Sequence, residues 1–169
     1  KQKNWYYYTN LIRLYREHIP EGSAVLEIGC GTGDVLAALK PGRGRGLDIS
    51  SEMVAIASKK HSANPHLSFE RHDIFESETV FPESHIFLAD VLEHVDDMGA
   101  FLAQLAKRCS PQATVVISVA NPLWEPVLML SEKLGMKMPE GPHTRYSIRA
   151  TERMMRDAGF EIEKKGYRL

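Results

Sequence analysis

Apolar stretches alternate with amphipathic ones along most of this chain. Five runs are short and rich in apolar residues, as in strands that are buried on both faces, and they are Val25–Gly29, Arg45–Asp48, Leu67–Arg71, His85–Asp90 and Thr114–Val119. Between these runs, apolar residues recur at the spacing of one helix face, in the segments Asp34–Leu39, Ser51–Lys60 and Met98–Cys109. The alternation predicts an α/β fold in which helices cover both faces of a parallel sheet.

The two ends of the chain extend this pattern. Residues 1–20 carry aromatic and aliphatic side chains that predict an N-terminal helix. Ser147 is a favourable N-cap for a last helix, which Gly159 ends. The residues that follow predict a sixth strand over Phe160–Lys165. Ser50 is suited to cap the helix that begins at the next residue.

Composition narrows the class of protein. With 169 residues, 43% of them hydrophobic, the chain is long enough for one core and too short for two ordinary domains. A formal net charge of -1 gives no basic excess for binding nucleic acid. The glycine-arginine run Gly42–Gly46 is therefore interpreted as a turn, not as an RNA-binding segment. The two cysteines form no disulfide framework, and neither a signal peptide nor an apolar run of about 18 residues is seen. These features favour a cytoplasmic protein without a membrane span.

The first predicted strand leads into a loop in which Gly29, Gly31 and Gly33 alternate with other residues. Glycine tolerates positive φ and has no Cβ, so such a loop lets a ligand touch the backbone at the start of a helix. The dinucleotide pattern G-x-G-x-x-G requires a further glycine where Asp34 stands, and an acid there should repel a pyrophosphate. Glu27, just before the loop, adds negative charge that suits a cationic ligand.

A second acid, Asp48, ends the next predicted strand 19 residues after Gly29. A carboxylate at about this spacing can bind the two hydroxyls of a ribose. Because the carboxyl ends of parallel strands meet at one edge of a sheet, Asp73 and Asp90 are expected beside Gly29 and Asp48. The sequence therefore predicts one ligand site at this edge.

From about Val25 to Phe160 the chain resembles the class I S-adenosylmethionine-dependent methyltransferases. Four motifs carry the resemblance in the family's order, and they are Glu27–Gly33, Asp48, Arg71–Ile74 and Ala89–Val95. The last of them resembles the fourth motif of ubiquinone-biosynthesis O-methyltransferases and of type 11 methyltransferases. The resemblance implies a Rossmann-like fold, S-adenosylmethionine as cofactor, S-adenosylhomocysteine as product and no metal. The cofactor-binding residues that it implies are Glu27, Gly29, Cys30, Gly31, Gly33, Asp48, Ile49, Met53, Asp73, Ile74, Asp90, Val91, Leu92 and Tyr8.

In the family the glycine loop wraps the methionine part of the cofactor, Asp48 matches the ribose-binding acid, and Asp73 matches the acid that accepts from the adenine amino group. The backbone amide of Ile74 is then expected near the ring. Simpler roles remain open, since Asp48 and Asp73 also suit helix caps. Asp90 fits the lining of the pocket better than chemistry. The N-terminal helix, with Tyr8, is suited equally to a cover for the core and to a lid over the cofactor.

Residues 121–147 are the part least like the family and are expected to form a substrate cap. Their leucines and methionines fit a lipid-linked acceptor and peripheral membrane contact, or a helix that simply packs on the core. His143 begins a His-x-Arg-aromatic-Ser segment similar to one in type 11 members. His143 and His94 are the candidate catalytic bases, although His94 fits packing against the adenosine equally well. The other histidines considered are interpreted as surface or strand-edge residues, and they are His61, His66, His72 and His85.

We therefore expect one methyltransferase domain over residues 1–169. Its parts are an N-terminal helix (1–20), a cofactor-binding core (24–120), a substrate-cap insertion (121–147), and a last helix and strand (148–169). The family's final antiparallel strand has no counterpart here and the chain starts at a lysine, so a fragment is expected. The expected function is methyl transfer to a small or lipid-linked acceptor, at oxygen. The alternative is a non-catalytic scaffold that keeps the cofactor pocket. Neither reading fixes the oligomeric state.

Overall fold

The computed structural model of the protein describes residues 5–119 and 147–166. The helices are α1 (Trp5–Arg16), α2 (Asp34–Ala38), α3 (Ser51–Lys60), α4 (Met98–Arg108) and α5 (Ile148–Asp157), with a 3-10 helix at Leu92–His94. The strands are β1 (Ala24–Ile28), β2 (Arg43–Asp48), β3 (Leu67–Arg71), β4 (His85–Ala89) and β5 (Thr114–Ser118). None of the helices in this described part is long and apolar enough to cross a membrane.

The five strands form one parallel sheet in the order β3-β2-β1-β4-β5. The chain runs outward from β1 to β3 and then crosses back to place β4 on the other side of β1. In open α/β sheets, ligands bind beyond the carboxyl ends of the strands where the order reverses in this way. The predicted parallel α/β fold is confirmed, and its topology directs attention to the ends of β1 and β4.

Alternate residues of the central strands are buried on opposite faces of the sheet. Leu26 and Ile86 lie in a core that α4 and α5 cover, whereas Val25 and Phe87 lie in a second core beneath α1 and α2. Side chains alternate across a strand, so apolar residues at consecutive positions require cover on both faces. This packing holds the strand ends, and the loops that follow them, in fixed relative positions.

Polar side chains define where the helices begin. Ser50 and Ser147 each accept a hydrogen bond from the backbone amide three residues later, at 3.3 and 3.2 Å, as predicted. Asp97 caps α4 in the same way at 2.9 Å, which the sequence analysis did not anticipate. Gly159 follows α5 with a φ of 99°, a left-handed conformation that suits glycine after a helix.

The predicted sixth strand over Phe160–Lys165 is wrong, because residues 160–166 form no strand. Phe160 packs against the core, and Lys165 Nζ lies 3.0 Å from Glu152 Oε1 on α5. The segment therefore turns back along α5 instead of extending beside β5. In the described ranges β5 pairs with β4 alone, so these residues add no strand to its other edge.

The turn predicted for Gly42–Gly46 is also wrong, because all but its first residue belong to β2. A Cβ on Gly44 would lie 2.6 Å from Leu67 Cδ2, and one on Gly46 would lie 2.6 Å from the ring of Phe69. Glycine is needed here for close packing within the strand, not for a turn. The intervening arginine, Arg45, donates two hydrogen bonds to Glu83, at 2.8 and 3.1 Å.

Candidate functional site

Backbone hydrogen bonds attach the glycine loop to the neighbouring strand. The amides of Gly29 and Cys30 both donate to the carbonyl of Leu47 on β2, at 2.8 and 2.9 Å. The amide of Gly33 then donates to the carbonyl of Cys30 at 2.8 Å, which closes a tight turn before α2. The loop is thus rigid at its base, so Cys30 contributes its backbone to the fold of the loop.

The three loop glycines have different structural causes. Gly29 has a φ of 74°, and a Cβ there would lie 2.5 Å from Val91 Cγ2. Gly33 also has a φ of 74°, and a Cβ there would lie 2.5 Å from the ring of Phe69. Gly31 has a φ of 50°, but a Cβ on it would meet nothing within 4 Å. Packing therefore explains the first and third glycines, whereas Gly31 borders open space that a ligand can fill.

Asp48, at the end of β2, supports the loop from beside it. Its Oδ2 accepts from the amide of Gly31 at 2.8 Å, and its Oδ1 accepts from the amide of Ser50 at 2.9 Å. A carboxylate has about four lone-pair sites, so these two bonds leave acceptor capacity for ribose hydroxyls. The side chain is half-buried at the edge of the sheet. The hydrogen bonds from these two amides are thus compatible with the predicted binding of ribose hydroxyls.

Glu27 lies beneath the loop with a nearly fully buried side chain. Its Oε2 accepts from the amide of Leu36 in the first turn of α2, at 3.2 Å. Burial raises the pKa of Glu27 well above its ordinary value, the bond from Leu36 offsets part of that rise, and the carboxylates of Asp34 and Asp48 add to it. Glu27 therefore supports α2 from below, and its raised pKa favours the neutral acid.

The carboxylate of Asp34 forms an ion pair with a lysine of α3. Lys60 Nζ lies 2.6 Å from its carboxylate, and the Thr32 hydroxyl donates to it at 2.9 Å. Partial burial acts to raise the pKa of Asp34, but the hydrogen bonds from Lys60 and Thr32 outweigh that effect and lower the pKa. The predicted repulsion between Asp34 and a pyrophosphate is thus reduced by this ion pair.

His61 was interpreted as a surface residue, and the structure corrects this. Only 14% of its side chain is exposed. Its Nε2 lies 3.1 Å from the carbonyl of Thr32, and its ring packs against Phe69 with centroids 5.6 Å apart. His61 is therefore a support of the loop tip. Its position at the C-cap of α3 could be read from the sequence, but its partner on the loop could not.

His72 is likewise more enclosed than a surface assignment implies. Its Nε2 is buried without a hydrogen-bond partner in the described structure, and its ring lies edge-on to Phe81 at 5.7 Å. Burial lowers the pKa of His72, which favours the neutral ring. The amide of His72 donates to the carbonyl of Asp48 at 2.9 Å and so joins β3 to the edge of the site.

Asp73 and Ile74 follow β3 at the same edge of the sheet. Asp73 Oδ1 accepts from the amide of Phe75 at 2.8 Å, which forms a local turn. No helix begins here, so the alternative that Asp73 is a helix cap is wrong. Ile74 is 5% exposed and belongs to the main core, so its side chain faces away from a ligand. Only the backbone of Ile74, and not its side chain, is therefore available for the predicted contact with the adenine ring.

The end of β4 has an unusual backbone. Asp90 has a φ of 54°, one of two non-glycine residues with positive φ in the described ranges. Its Oδ1 accepts from the Ser118 hydroxyl at 2.8 Å. Val91 then packs against Gly29, whereas Leu92 is fully buried in the core. The Leu92 side chain is therefore unable to contact a cofactor.

The remaining predicted cofactor contacts differ in exposure. Ile49, directly after Asp48, is 69% exposed and offers an apolar surface at the edge of the site. Met53 is half-buried in the first turn of α3. Tyr8 is 41% exposed and lies edge-on to Tyr7 at 5.8 Å. Of these three, Ile49 directly follows the end of β2, Met53 lies in the helix that comes next, and Tyr8 lies on α1.

The structure describes one of the two candidate bases. His94 is exposed and ends the 3-10 helix that follows β4, on the same side of the sheet as the loop. His143 and nearly all of the predicted substrate cap, residues 121–147, lie outside the described residues. His94 is thus the candidate base whose surroundings are known.

Gly29, Asp48, Asp73 and Asp90 each follow the end of one strand of a parallel sheet, β1 to β4 in chain order. The loop that leaves open space at Gly31 and the half-buried carboxylate of Asp48 are joined by one hydrogen bond. This arrangement fits a ligand with a ribose and an extended small group. It supplies carboxylates at the edge, which stabilise positive charge on a ligand.

Comparisons with known proteins agree with this geometry. A family model described as a methyltransferase domain matches residues 3–165. A ubiquinone biosynthesis O-methyltransferase of Rhodopseudomonas palustris is 28% identical over 131 residues, which are 73% of this chain and 51% of that protein. A demethylmenaquinone methyltransferase of Bacillus licheniformis is 28% identical over 107 residues, which are 59% of this chain and 45% of that protein. The chain spans about half the length of the curated relatives that it matches.

Solved structures show the same fold. A methyltransferase of Haloferax volcanii, in complex with a methyltransferase activator, has a TM-score of 0.72 and 25% identity, with 90% of this chain and 69% of that chain covered. The magnesium protoporphyrin IX methyltransferase of Synechocystis PCC 6803 with bound SAH has a TM-score of 0.69 and 23% identity, with 94% and 73% covered. The sequence motifs, the sheet topology and the family match together establish that this chain belongs to the class I S-adenosylmethionine-dependent methyltransferases.

Proposed function

We propose that this chain transfers the methyl group of S-adenosylmethionine to a hydroxyl of a small aromatic acceptor. The observation that carries the proposal is the pairing of Gly31 with Asp48. Of the three loop glycines, only Gly31 borders open space, and its amide donates to the Asp48 carboxylate. Bound S-adenosylmethionine supplies an electrophilic methyl group on a positively charged sulfur.

The donor would be held by the described residues in three parts. Asp48 has acceptor capacity left for the ribose hydroxyls. The exposed side chain of Ile49 offers an apolar face for the adenine ring. The open side of Gly31 admits the amino-acid part of the donor against bare backbone. Asp73 keeps one carboxylate oxygen for the adenine amino group while the other caps its turn.

The chemical task of the protein is mainly to hold and align the two reactants. Correct positioning alone can contribute roughly 7–11 kcal/mol toward the barrier of such a bimolecular step. A hydroxyl acceptor also needs to lose its proton, and a positioned imidazole can accelerate that step by about 10²–10⁴-fold. His94 has the chemistry and the location for this role, and His143 has the chemistry.

The class of acceptor rests on the relatives. One is named for O-methylation in ubiquinone biosynthesis and another for methylation of demethylmenaquinone, so both names point to quinone-related acceptors and the first supports transfer to oxygen. The leucine- and methionine-rich stretch within residues 121–147 suits an apolar tail on such a ring. A prenylated catechol is therefore the probe that we would test first.

The test is methyl transfer from radiolabelled S-adenosylmethionine to a prenylated catechol, with the product identified by mass spectrometry. We expect one methyl group on a ring oxygen, and a substantially lower rate for His94→Ala. Asp48→Ala should abolish transfer, because both the ribose contact and the support of Gly31 are lost. Ser58→Ala, on the exposed face of α3, is the matched control and should behave as the wild type.

Two results would contradict the proposal. S-adenosylhomocysteine binding without transfer to any hydroxylated aromatic acceptor would favour the scaffold alternative. Transfer to an amine with no reaction at catechols would show that the acceptor class is wrong while the donor site is right.

A further inference from the structure

The carboxyl ends of β4 and β5 are joined to α1 by three polar side chains, of which Tyr15 and Ser118 are buried and Asp90 is half-buried. Tyr15 of α1 is 0% exposed, and its phenol lies 2.6 Å from the carbonyl of Leu88 and 3.0 Å from Ser118 Oγ. Ser118, the last residue of β5, is 7% exposed and donates to Asp90 at 2.8 Å. Buried polar groups of this kind are costly unless they are satisfied, so their arrangement is well defined.

The Ser118 hydroxyl contacts Asp90 twice. It donates to Asp90 Oδ1 at 2.8 Å and accepts from the backbone amide of Asp90 at 3.1 Å. The amide of Asp90 also donates to the carbonyl of Ser118 at 3.3 Å. Ser118 therefore holds both the side chain and the backbone of Asp90. That residue has a φ of 54°, a conformation that a non-glycine residue keeps only when its surroundings stabilise it.

The turn that Asp90 makes directs the next residue under the glycine loop. Val91 Cγ2 lies 2.5 Å from the position that a Cβ on Gly29 would occupy. Gly29 and Val91 thus fit together without free space, and a change in the Asp90 backbone has to move one of them. A continuous series of contacts joins Tyr15 to the loop, through Ser118, Asp90 and Val91.

We propose that Ser118, supported by Tyr15, is a positioning residue for donor binding, because it holds Asp90 in the conformation that seats Val91 against Gly29. The proposal rests on the proposed function, since it takes the glycine loop as the donor site. Its consequence is that α1 is mechanically coupled to the loop through the Ser118 hydroxyl at the end of β5.

The test measures the affinity for S-adenosylhomocysteine by titration calorimetry. Ser118→Ala should weaken binding by roughly tenfold, and by no more than the roughly 100-fold that corresponds to the whole contribution of a hydrogen bond to a charged group. Ser118→Thr keeps the hydroxyl and should retain most of the affinity. Tyr15→Phe keeps the shape of the ring and should cause a smaller loss in the same direction. Ser58→Ala is the control.

A double-mutant cycle separates positioning from general destabilisation. If Ser118 acts through Asp90, then the further loss of affinity caused by Ser118→Ala in an Asp90→Ala background should be clearly smaller than its loss in the wild type, because only the bond to the backbone amide of residue 90 remains to be removed. Circular dichroism and the melting temperature of each variant identify any that fails to fold, and Ser118→Thr remains informative in that case.

Three results would overturn the inference. Additive losses in the cycle would show that Ser118 acts independently of Asp90. Wild-type affinity in Ser118→Ala, or a loss in Ser118→Thr equal to that in Ser118→Ala, would show that the hydroxyl does not position the turn. Failure of the wild type to bind S-adenosylhomocysteine at all would instead reject the proposed function, and the positioning role with it.

Discussion

Gly31→Ala should separate the binding role of the loop from its folding role. Gly31 has a φ of 50°, and a Cβ on it meets nothing within 4 Å, so the folding penalty is that of a left-handed alanine. That penalty is about 1–2 kcal/mol. For a chain of this size it lowers the melting temperature by roughly 2–4 °C per kcal/mol. The new methyl group, however, projects into the space assigned to the donor.

Gly22→Ala is the matched control. Gly22 has a φ of 81°, and a Cβ on it also meets nothing within 4 Å, but it lies in the turn before β1, at the opposite end of that strand from the loop. The two variants should therefore lose similar stability. Only Gly31→Ala should bind S-adenosylhomocysteine at least about tenfold more weakly, which corresponds to about 1.4 kcal/mol. Calorimetry and thermal melts measure the two quantities separately. Equal affinity of Gly31→Ala and Gly22→Ala would refute the assignment of this space to the donor.

Three further predictions concern buried ionisable groups. Glu27→Gln should raise the melting temperature, and by more at pH 8 than at pH 4. The pKa of Glu27 is raised in the folded chain, so above the ordinary value of 4.5 the unfolded chain ionises and is favoured, and the variant removes that cost. A pH-independent difference would contradict this. Arg45→Met should destabilise the fold by about 3–5 kcal/mol in urea denaturation. The substitution leaves the carboxylate of Glu83, which is 3% exposed, without its charged partner. A loss below about 1 kcal/mol would show that Glu83 has another hydrogen-bond partner. Cys30 should resist a thiol reagent at pH 8 in the native protein, because burial and the charges of Glu27 and Asp48 raise its pKa to about 12. Rapid labelling of the folded protein would show that the Cys30 thiol is not buried.

Much of the fold was predictable because its signals are local. Continuous apolar runs identify strands buried on both faces, and Ser50 and Ser147 cap their helices as their positions suggest. The glycine loop and the acids at strand ends were likewise visible, since each follows an apolar run directly. The donor class could be inferred from those motifs together.

The errors came from contacts between distant parts of the chain. Gly44 and Gly46 read as a turn from local composition, but side chains of β3 and its flanks occupy the places where their Cβ atoms would be. His61 and Ser118 are ordinary in sequence, and their importance follows only from partners 29 and 28 residues away. The sixth strand failed because Phe160 packs against the core and Lys165 pairs with Glu152 on α5, and periodicity does not reveal such contacts.

The central claim is that one edge of the sheet binds S-adenosylmethionine through the open side of Gly31 and the carboxylate of Asp48. A crystal structure with bound S-adenosylhomocysteine tests it most directly. We expect both ribose hydroxyls within hydrogen-bond distance of the Asp48 carboxylate and the amino-acid part of the ligand in van der Waals contact with Gly31. Ligand density at another surface, with Asp48 contacting only the amides of Gly31 and Ser50, would contradict the account.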